Sequence, residues 1–164
     1  MAGKGFTTCL WFDGDAEAAA DFYLSVFKDG KRGRTGHYTA EGPGQPGAVM
    51  VVEFEINGQS FMGLNGGPQF TFSEAVSFQI RCADDAEADY YYEALTRDGG
   101  EESACGWVKD KFGVSWQVTP EEAIDLLSDP DPGRAARATA AMMKMEKLDV
   151  AEMRRAADAA CGRR

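Results

Sequence analysis

Phe6-Thr7-Thr8-Cys9-Leu10-Trp11-Phe12 is followed by Asp13-Gly14-Asp15-Ala16-Glu17, then by a helical run ending Asp21-Phe22-Tyr23-Leu24-Ser25-Val26-Phe27. The same order recurs further on as Ala75-Val76-Ser77-Phe78-Gln79-Ile80-Arg81-Cys82, Asp84-Asp85-Ala86-Glu87 and Asp89-Tyr90-Tyr91-Tyr92-Glu93-Ala94-Leu95. The two strands superpose at an offset of 70 residues (77 − 7), with a small slip in the helices. Each copy runs on into short alternating stretches that read as strands. A strand–helix–strands unit of this size cannot bury both faces of its sheet. Two copies can, leaving a cleft between curled sheets, and function is expected there.

The strand parity assigns faces. In the first copy Phe6, Thr8, Leu10 and Phe12 point one way, and Thr7, Cys9 and Trp11 the other. In the second copy Val76, Phe78, Ile80 and Cys82 form the apolar face, opposite Ser77, Gln79 and Arg81. Asp13 or Asp15 can cap a helix running to about Phe27, with Ala18, Ala19, Phe22 and Val26 on its inner stripe. Thr35 to Ala40 reads as a strand and Glu41 to Gly47 as a loop. Val49–Ile56 and Gln59–Leu64 read as a hairpin around Asn57-Gly58. In the second copy a helix from about Asp85 to Arg97 stops at Gly99-Gly100. Ser103–Val108 and Val114–Thr119 read as strands, and Glu121–Leu127 as a short helix behind Pro120. Beyond Asp129-Pro-Asp-Pro132 two helices are predicted, about Arg134–Met145 and Asp149–Ala160, with Met142, Met145, Val150 and Met153 facing inward. The fold class is α+β: two repeats (about 5–66 and 74–120) in a domain of residues 1–128, and a helical extension over residues 129–164 packed on that domain or on a dimer partner.

Composition narrows the function. The 164 residues carry 27 Asp plus Glu against 17 Lys plus Arg, a net charge of −10. Such a chain repels phosphates overall, so nucleic acid is not expected as a partner. The one basic run, Lys28 to Arg34, reads as a solvated turn. No apolar run reaches the length of about 18 residues that suggests a membrane span. No signal-peptide core follows Met1, so no membrane partner and a cytoplasmic location are expected. The four cysteines form no Cys-x-x-Cys pair, and free thiols suit a reducing compartment. The single histidine, His37, rules out a multi-histidine metal site within one chain.

Four segments carry a family resemblance: Cys9-Leu-Trp-Phe-Asp-Gly-Asp-Ala-Glu17, Asn65-Gly-Gly-Pro-Gln-Phe-Thr-Phe72, Cys105-Gly-Trp-Val-Lys-Asp-Lys-Phe-Gly-Val-Ser-Trp-Gln-Val118 and Met145-Glu-Lys-Leu-Asp149. With them the chain resembles the PhnB-like branch of the vicinal oxygen chelate superfamily, which includes glyoxalase I and the bleomycin-resistance proteins. The resemblance implies paired βαβββ repeats and a homodimer. Many relatives carry the label 3-demethylubiquinone-9 3-methyltransferase. The residues give that chemistry no support of their own: Asn65-Gly-Gly-Pro follows a hairpin, not the strand of a nucleotide-binding turn.

The resemblance also implies where a metal would sit in metal-using relatives: four cleft positions holding His or Glu. Here they fall on Thr7, on Ser77, on Gln117 and at a hairpin position between Met62 and Asn65. Neutral oxygen donors are weak ligands for a divalent ion, so no metal and no cofactor are expected. The remaining lining is polar and aromatic: Thr7, Cys9, Trp11, Asn65, Ser77, Gln79, Arg81, Ser115 and Gln117. Aromatic walls supply contact area and a few polar groups orient a ligand, so a small organic molecule is the expected partner. Arg81 tilts the expectation toward an anionic or carbonyl-bearing one. No catalytic residue is assigned. Cys9 has no neighbouring base in sequence to activate it, and Trp107 and Trp116 read as core. The alternative is an enzyme of unknown reaction on the same scaffold, glyoxalase- or dioxygenase-like, or the methyltransferase of the family label.

Overall fold

The computed structural model describes residues 5–159. The chain forms two compact units, Met1–Phe72 and Ser73–Arg164. In the first, β1 (Thr8–Phe12), α1 (Ala16–Val26), β2 (Lys31–His37), β3 (Val49–Ile56) and β4 (Gln59–Asn65) build a four-stranded sheet. Its strand order is β1-β4-β3-β2, with β1 and β4 parallel. In the second, β5 (Ser77–Cys82), α2 (Asp85–Thr96), β6 (Glu101–Glu102), β7 (Trp107–Lys109) and β8 (Ser115–Pro120) repeat that order as β5-β8-β7-β6. β5 and β8 are again parallel. The paired βαβββ repeats read from the sequence are therefore the observed fold.

Burial follows the predicted parity within the strands, whereas Phe6 and Val76, expected on the inner faces, stand outside β1 and β5 and are exposed. Leu10 and Phe12 are buried with Val52, Phe54, Ile56 and Phe61 on the sheet face beneath α1. Ile80 and Cys82 are buried with Val108, Trp116 and Val118 on the face beneath α2. The β3–β4 turn holds Asn57 at φ +47° and Gly58 at φ +70°, the paired left-handed conformations of a tight hairpin turn. At the start of α2 the Asp84 carboxylate accepts from the Glu87 amide (2.8 Å), and the Glu87 carboxylate accepts from the Ala83 amide (2.7 Å). One first-turn amide and the amide just before the cap are satisfied in this way.

Four expectations need correction. The strand expected at Thr35–Ala40 is β2 over Lys31–His37, so of the cations in the basic run only Lys28 lies in a turn and the others are in the strand. β2 is an edge strand whose cations pair with acids on β3 and α1: Lys31 with Glu55, Arg34 with Glu53, and Arg32 with Glu17 and Asp21. The inner stripe of α1 is Ala16, Ala19, Ala20, Tyr23 and Val26, leaving Ala18 exposed and Phe22 half-buried. The strand expected at Ser103–Val108 is broken by a 3-10 turn, Ala104–Gly106, where Cys105 has φ +60°. The penultimate helix, α4, spans Pro132–Met142, ending earlier than expected.

The last three helices, α3 (Glu121–Leu127), α4 and α5 (Val150–Asp158), share a core of Ala123, Leu126, Ala138, Leu148, Val150, Met153 and Ala157. Met142 and Met145 pack against it. Asp131 and Asp149 cap α4 and α5 through their carboxylates. Among the described residues, no helix is long and apolar enough to cross a membrane.

One buried carboxylate organises the second unit. Asp110 is 2 % exposed. Its Oδ1 accepts from the amides of Phe112 (2.9 Å) and Val114 (3.1 Å), and its Oδ2 from the Trp116 indole N–H (2.8 Å). This closes the β7–β8 turn and fixes a core tryptophan. Asp110→Ala strands two amides and an indole without an acceptor, and should destabilise the protein by about 3 kcal/mol or more in urea unfolding. Asp110→Asn, which keeps one acceptor oxygen, should lose less. An alanine variant within about 0.5 kcal/mol of wild type would show that the carboxylate is dispensable.

Candidate functional site

Each sheet has one face covered by its helix and one left open, and the register fixes what stands on the open face. In the first unit Cys9 pairs with Met62 and Met62 with Glu53, so these three form one row across the sheet. Trp11, Leu64 and Val51 form the next row. In the second unit the rows are Ser77, Ser115 and Lys109, then Gln79, Gln117 and Trp107, then Arg81 and Thr119. Thr7 lies one residue before β1 and is exposed. With Phe6, Arg34, Glu53, Ser60 and Met62 it lines a groove of about 570 Å³.

The local chemistry differs from residue to residue. The Trp11 indole N–H donates to the Gly67 carbonyl (2.8 Å), and its ring meets Phe70 edge-on at 4.9 Å. Gly66 has to be glycine for this, because a Cβ there would lie 2.3 Å from the Trp11 ring. Gln117 Nε2 donates to Ser77 Oγ (2.9 Å), so these two positions are tied to each other. Gln79 is exposed and reaches the Thr119 hydroxyl at 3.5 Å. Arg81 pairs with Glu121 at 2.7 Å, which holds the guanidinium more firmly charged and offsets that charge locally. Ser115 is 2 % exposed and its hydroxyl has no hydrogen-bond partner. It lines a cavity of about 100 Å³ with Trp107, Lys109, Glu74, Glu101 and Ser103. Lys109 and Glu74 form an ion pair there.

Asn65 stands apart from the other predicted lining residues. It pairs with Phe12, so its side chain lies on the helix-covered face. Its Oδ1 accepts from the Ala16 amide (2.9 Å) and its Nδ2 donates to the Val49 carbonyl (3.1 Å). Asn65 thus supplies the cap that Asp15 does not give to α1. The physical reason is parity: a residue three positions after Met62 cannot share its face.

The internal register also places the first-unit counterpart of Gln117. Gln117 is the β8 partner of Gln79, and Met62 is the β4 partner of Cys9, the residue 70 positions earlier. The four positions are therefore Thr7, Met62, Ser77 and Gln117: two hydroxyls, a thioether and an amide. This donor set does not fit a divalent ion, which needs charged or imidazole ligands. Ser77 and Gln117 are moreover bonded to each other.

Sequence reasoning missed several open-face groups. Trp107, expected in the core with Trp116, is half-buried on the open face beside Gln117, whereas Trp116 is core. Glu53, Arg34, Lys109 and Glu74 were also overlooked. The alternation of Val52, Phe54 and Ile56 with Glu53 and Glu55 was the available signal for the first of these.

The chain matches the family model described as 3-demethylubiquinone-9 3-methyltransferase over residues 4–119. It is 35 % identical to a PhnB protein of Bacillus cereus that bears the same methyltransferase name, with a TM-score of 0.64. That match covers 71 % of this chain and 99 % of the Bacillus protein. Protein PA1353 of Pseudomonas aeruginosa shares the fold at 19 % identity and a TM-score of 0.58, over 73 % of this chain and 98 % of its own. The fosfomycin resistance protein FosX of Listeria monocytogenes aligns at 17 % identity and a TM-score of 0.49, over 71 % and 89 %. No curated protein matched the chain. The chain belongs to this 3-demethylubiquinone-9 3-methyltransferase family, the PhnB-like branch of the vicinal oxygen chelate superfamily.

The thiols differ in a testable way. Desolvation raises the Cys9 thiol above its ordinary range although its side chain is exposed. Burial, with Glu87 nearby, pushes Cys82 up to about 12. At neutral pH iodoacetamide should alkylate Cys9 more slowly than free cysteine, with the rate still rising above pH 9, and should reach Cys82 only on unfolding. Faster-than-free alkylation of Cys9 at pH 7, read by peptide mass spectrometry, would reveal an activated thiolate.

Proposed function

We propose that the chain binds a small organic molecule on an open sheet face, without a resident divalent metal. One observation carries the reading: the Ser115 hydroxyl, buried and unpartnered at the wall of a cavity. A buried hydroxyl without a partner costs about 1–3 kcal/mol, a cost that a ligand able to hydrogen-bond to it removes. On the open face of the second unit Trp107 offers flat apolar area and Gln79 and Gln117 polar contacts; on that of the first, Trp11 offers the area and Thr7 and Cys9 the polar contacts. Since Glu121 offsets Arg81, an uncharged carbonyl- or hydroxyl-bearing ligand suits this lining better than an anion. The homodimer implied by the family belongs to the same proposal, and the exposed Phe70 and Val76 are side chains such a contact would cover.

The family name suggests methyl transfer, but Asn65-Gly66-Gly67-Pro68 offers no nucleotide cradle. The Asn65 side chain is committed to α1 and β3, Gly66 makes room for Trp11, and the segment runs on into irregular chain rather than a helix. Binding is therefore the reading the residues support best.

The test is a thermal-shift screen of uncharged and anionic small molecules, followed by calorimetry on Ser115→Ala. The variant should be as stable as wild type or more so, because it deletes an unsatisfied group. It should bind the hits three- to tenfold more weakly, the worth of one hydrogen bond. Hits that bind wild type and Ser115→Ala equally well would remove the observation on which the reading rests.

A further inference from the structure

Ser115 has a second donor beside it. Lys109 is its partner in the β7–β8 ladder, so the two side chains are neighbours on the open face of the second unit. Both line the cavity of about 100 Å³, where the buried Ser115 hydroxyl has no partner. Glu74, in the turn ahead of β5, pairs with the Lys109 ammonium. That hydrogen bond, with the Glu74 and Glu101 charges, holds Lys109 protonated above its ordinary range. Lys109 is therefore a hydrogen-bond donor at neutral pH, not a nucleophile. Glu101 faces Lys109 across the β6–β7 ladder, and with Glu74 and Glu102 it brings more carboxylates to the lining than Lys109 alone can match. At about 30 Å³ for each water, the volume is that of about three waters, and so of a head group with three non-hydrogen atoms.

We infer that this cavity takes a neutral primary carboxamide, with the rest of the ligand outside it against the Trp107 ring. The inference rests on the reading of the open face as a ligand site and names the group that enters it. The carboxamide oxygen accepts from the Ser115 hydroxyl and the Lys109 ammonium, and its NH2 group donates to the carboxylates around Lys109. A carboxylate of the same shape brings the oxygens but is repelled by those acids. An amidinium of the same shape brings N–H donors only, so it gives Lys109 no acceptor, and the ammonium repels its charge. A carboxamide presents one acceptor edge and one donor edge without charge, which is the pattern this lining leaves unmet. Its flat head continues into apolar area that the half-buried Trp107 covers.

The experiment is an NMR titration of the full chain with benzamide, benzoate and benzamidine, three probes of one shape that differ in charge and hydrogen-bonding edge. Benzamide should give saturable shifts at Ser115 and Trp107 and bind at least about tenfold more tightly than either of the others. Lys109→Met should bind benzamide about tenfold more weakly, the loss of one charged hydrogen bond. Glu101→Gln, a change at an exposed position, should keep the native melting temperature and bind benzoate more tightly than wild type does. The comparison of the three probes is made on wild type, so it stands whether or not a variant folds. Benzoate or benzamidine binding as tightly as benzamide, no saturable benzamide binding, or wild-type benzamide affinity in folded Lys109→Met would overturn the carboxamide assignment and leave the open-face reading standing. Failure of that reading shows separately, as screening hits that bind wild type and Ser115→Ala equally.

Discussion

A four-stranded sheet has two faces, and each repeat carries one helix. Because side chains alternate along a strand, covering one face with α1 or α2 decides the exposure of every second residue on the other. Leu10 and Phe12 go under α1, which puts Cys9 and Trp11 on the open side. Ile80 and Cys82 go under α2, which puts Gln79 and Arg81 on the open side. The core and the candidate site are thus two readings of one constraint. A slip of one residue in β1 or β5 would exchange them.

The family motifs hold this arrangement in place. Asn65 ties β4 to the start of α1 and to β3, Gly66 makes room for Trp11, and Asp110 ties the β7–β8 turn to Trp116. These residues carry the resemblance to PhnB proteins, yet their polar atoms point at backbone amides, carbonyls and an indole. These parts of the family segments therefore describe how the repeats fold, while Cys9, Trp11, Ser115 and Gln117 of the same segments stand on the open faces.

What could be read from the sequence was what local periodicity and turn chemistry encode. The alternation of β1 and β5, the Asn57-Gly58 hairpin and the offset of 70 residues needed no tertiary information. β2 was misplaced because a charged, glycine-bearing edge strand looks like a turn until its acidic partners on β3 and α1 are known. The stripe of α1 was set one residue out because Ala18, Ala19 and Ala20 make an apolar run with no phase of its own. The sequence does not show the structural role of Asn65, because its hydrogen bond to Ala16 spans 49 positions in the chain.

The central claim is that ligands meet the open faces while the helix-covered faces stay structural. Amide-resolved NMR of the labelled protein titrated with a screening hit tests it most directly. The account predicts saturable shift changes at Cys9, Trp11, Ser77, Ser115 and Gln117, with Ala20, Tyr23 and Tyr91 beneath the helices unmoved. Changes confined to the helix-covered faces, or spread evenly over both, would contradict it.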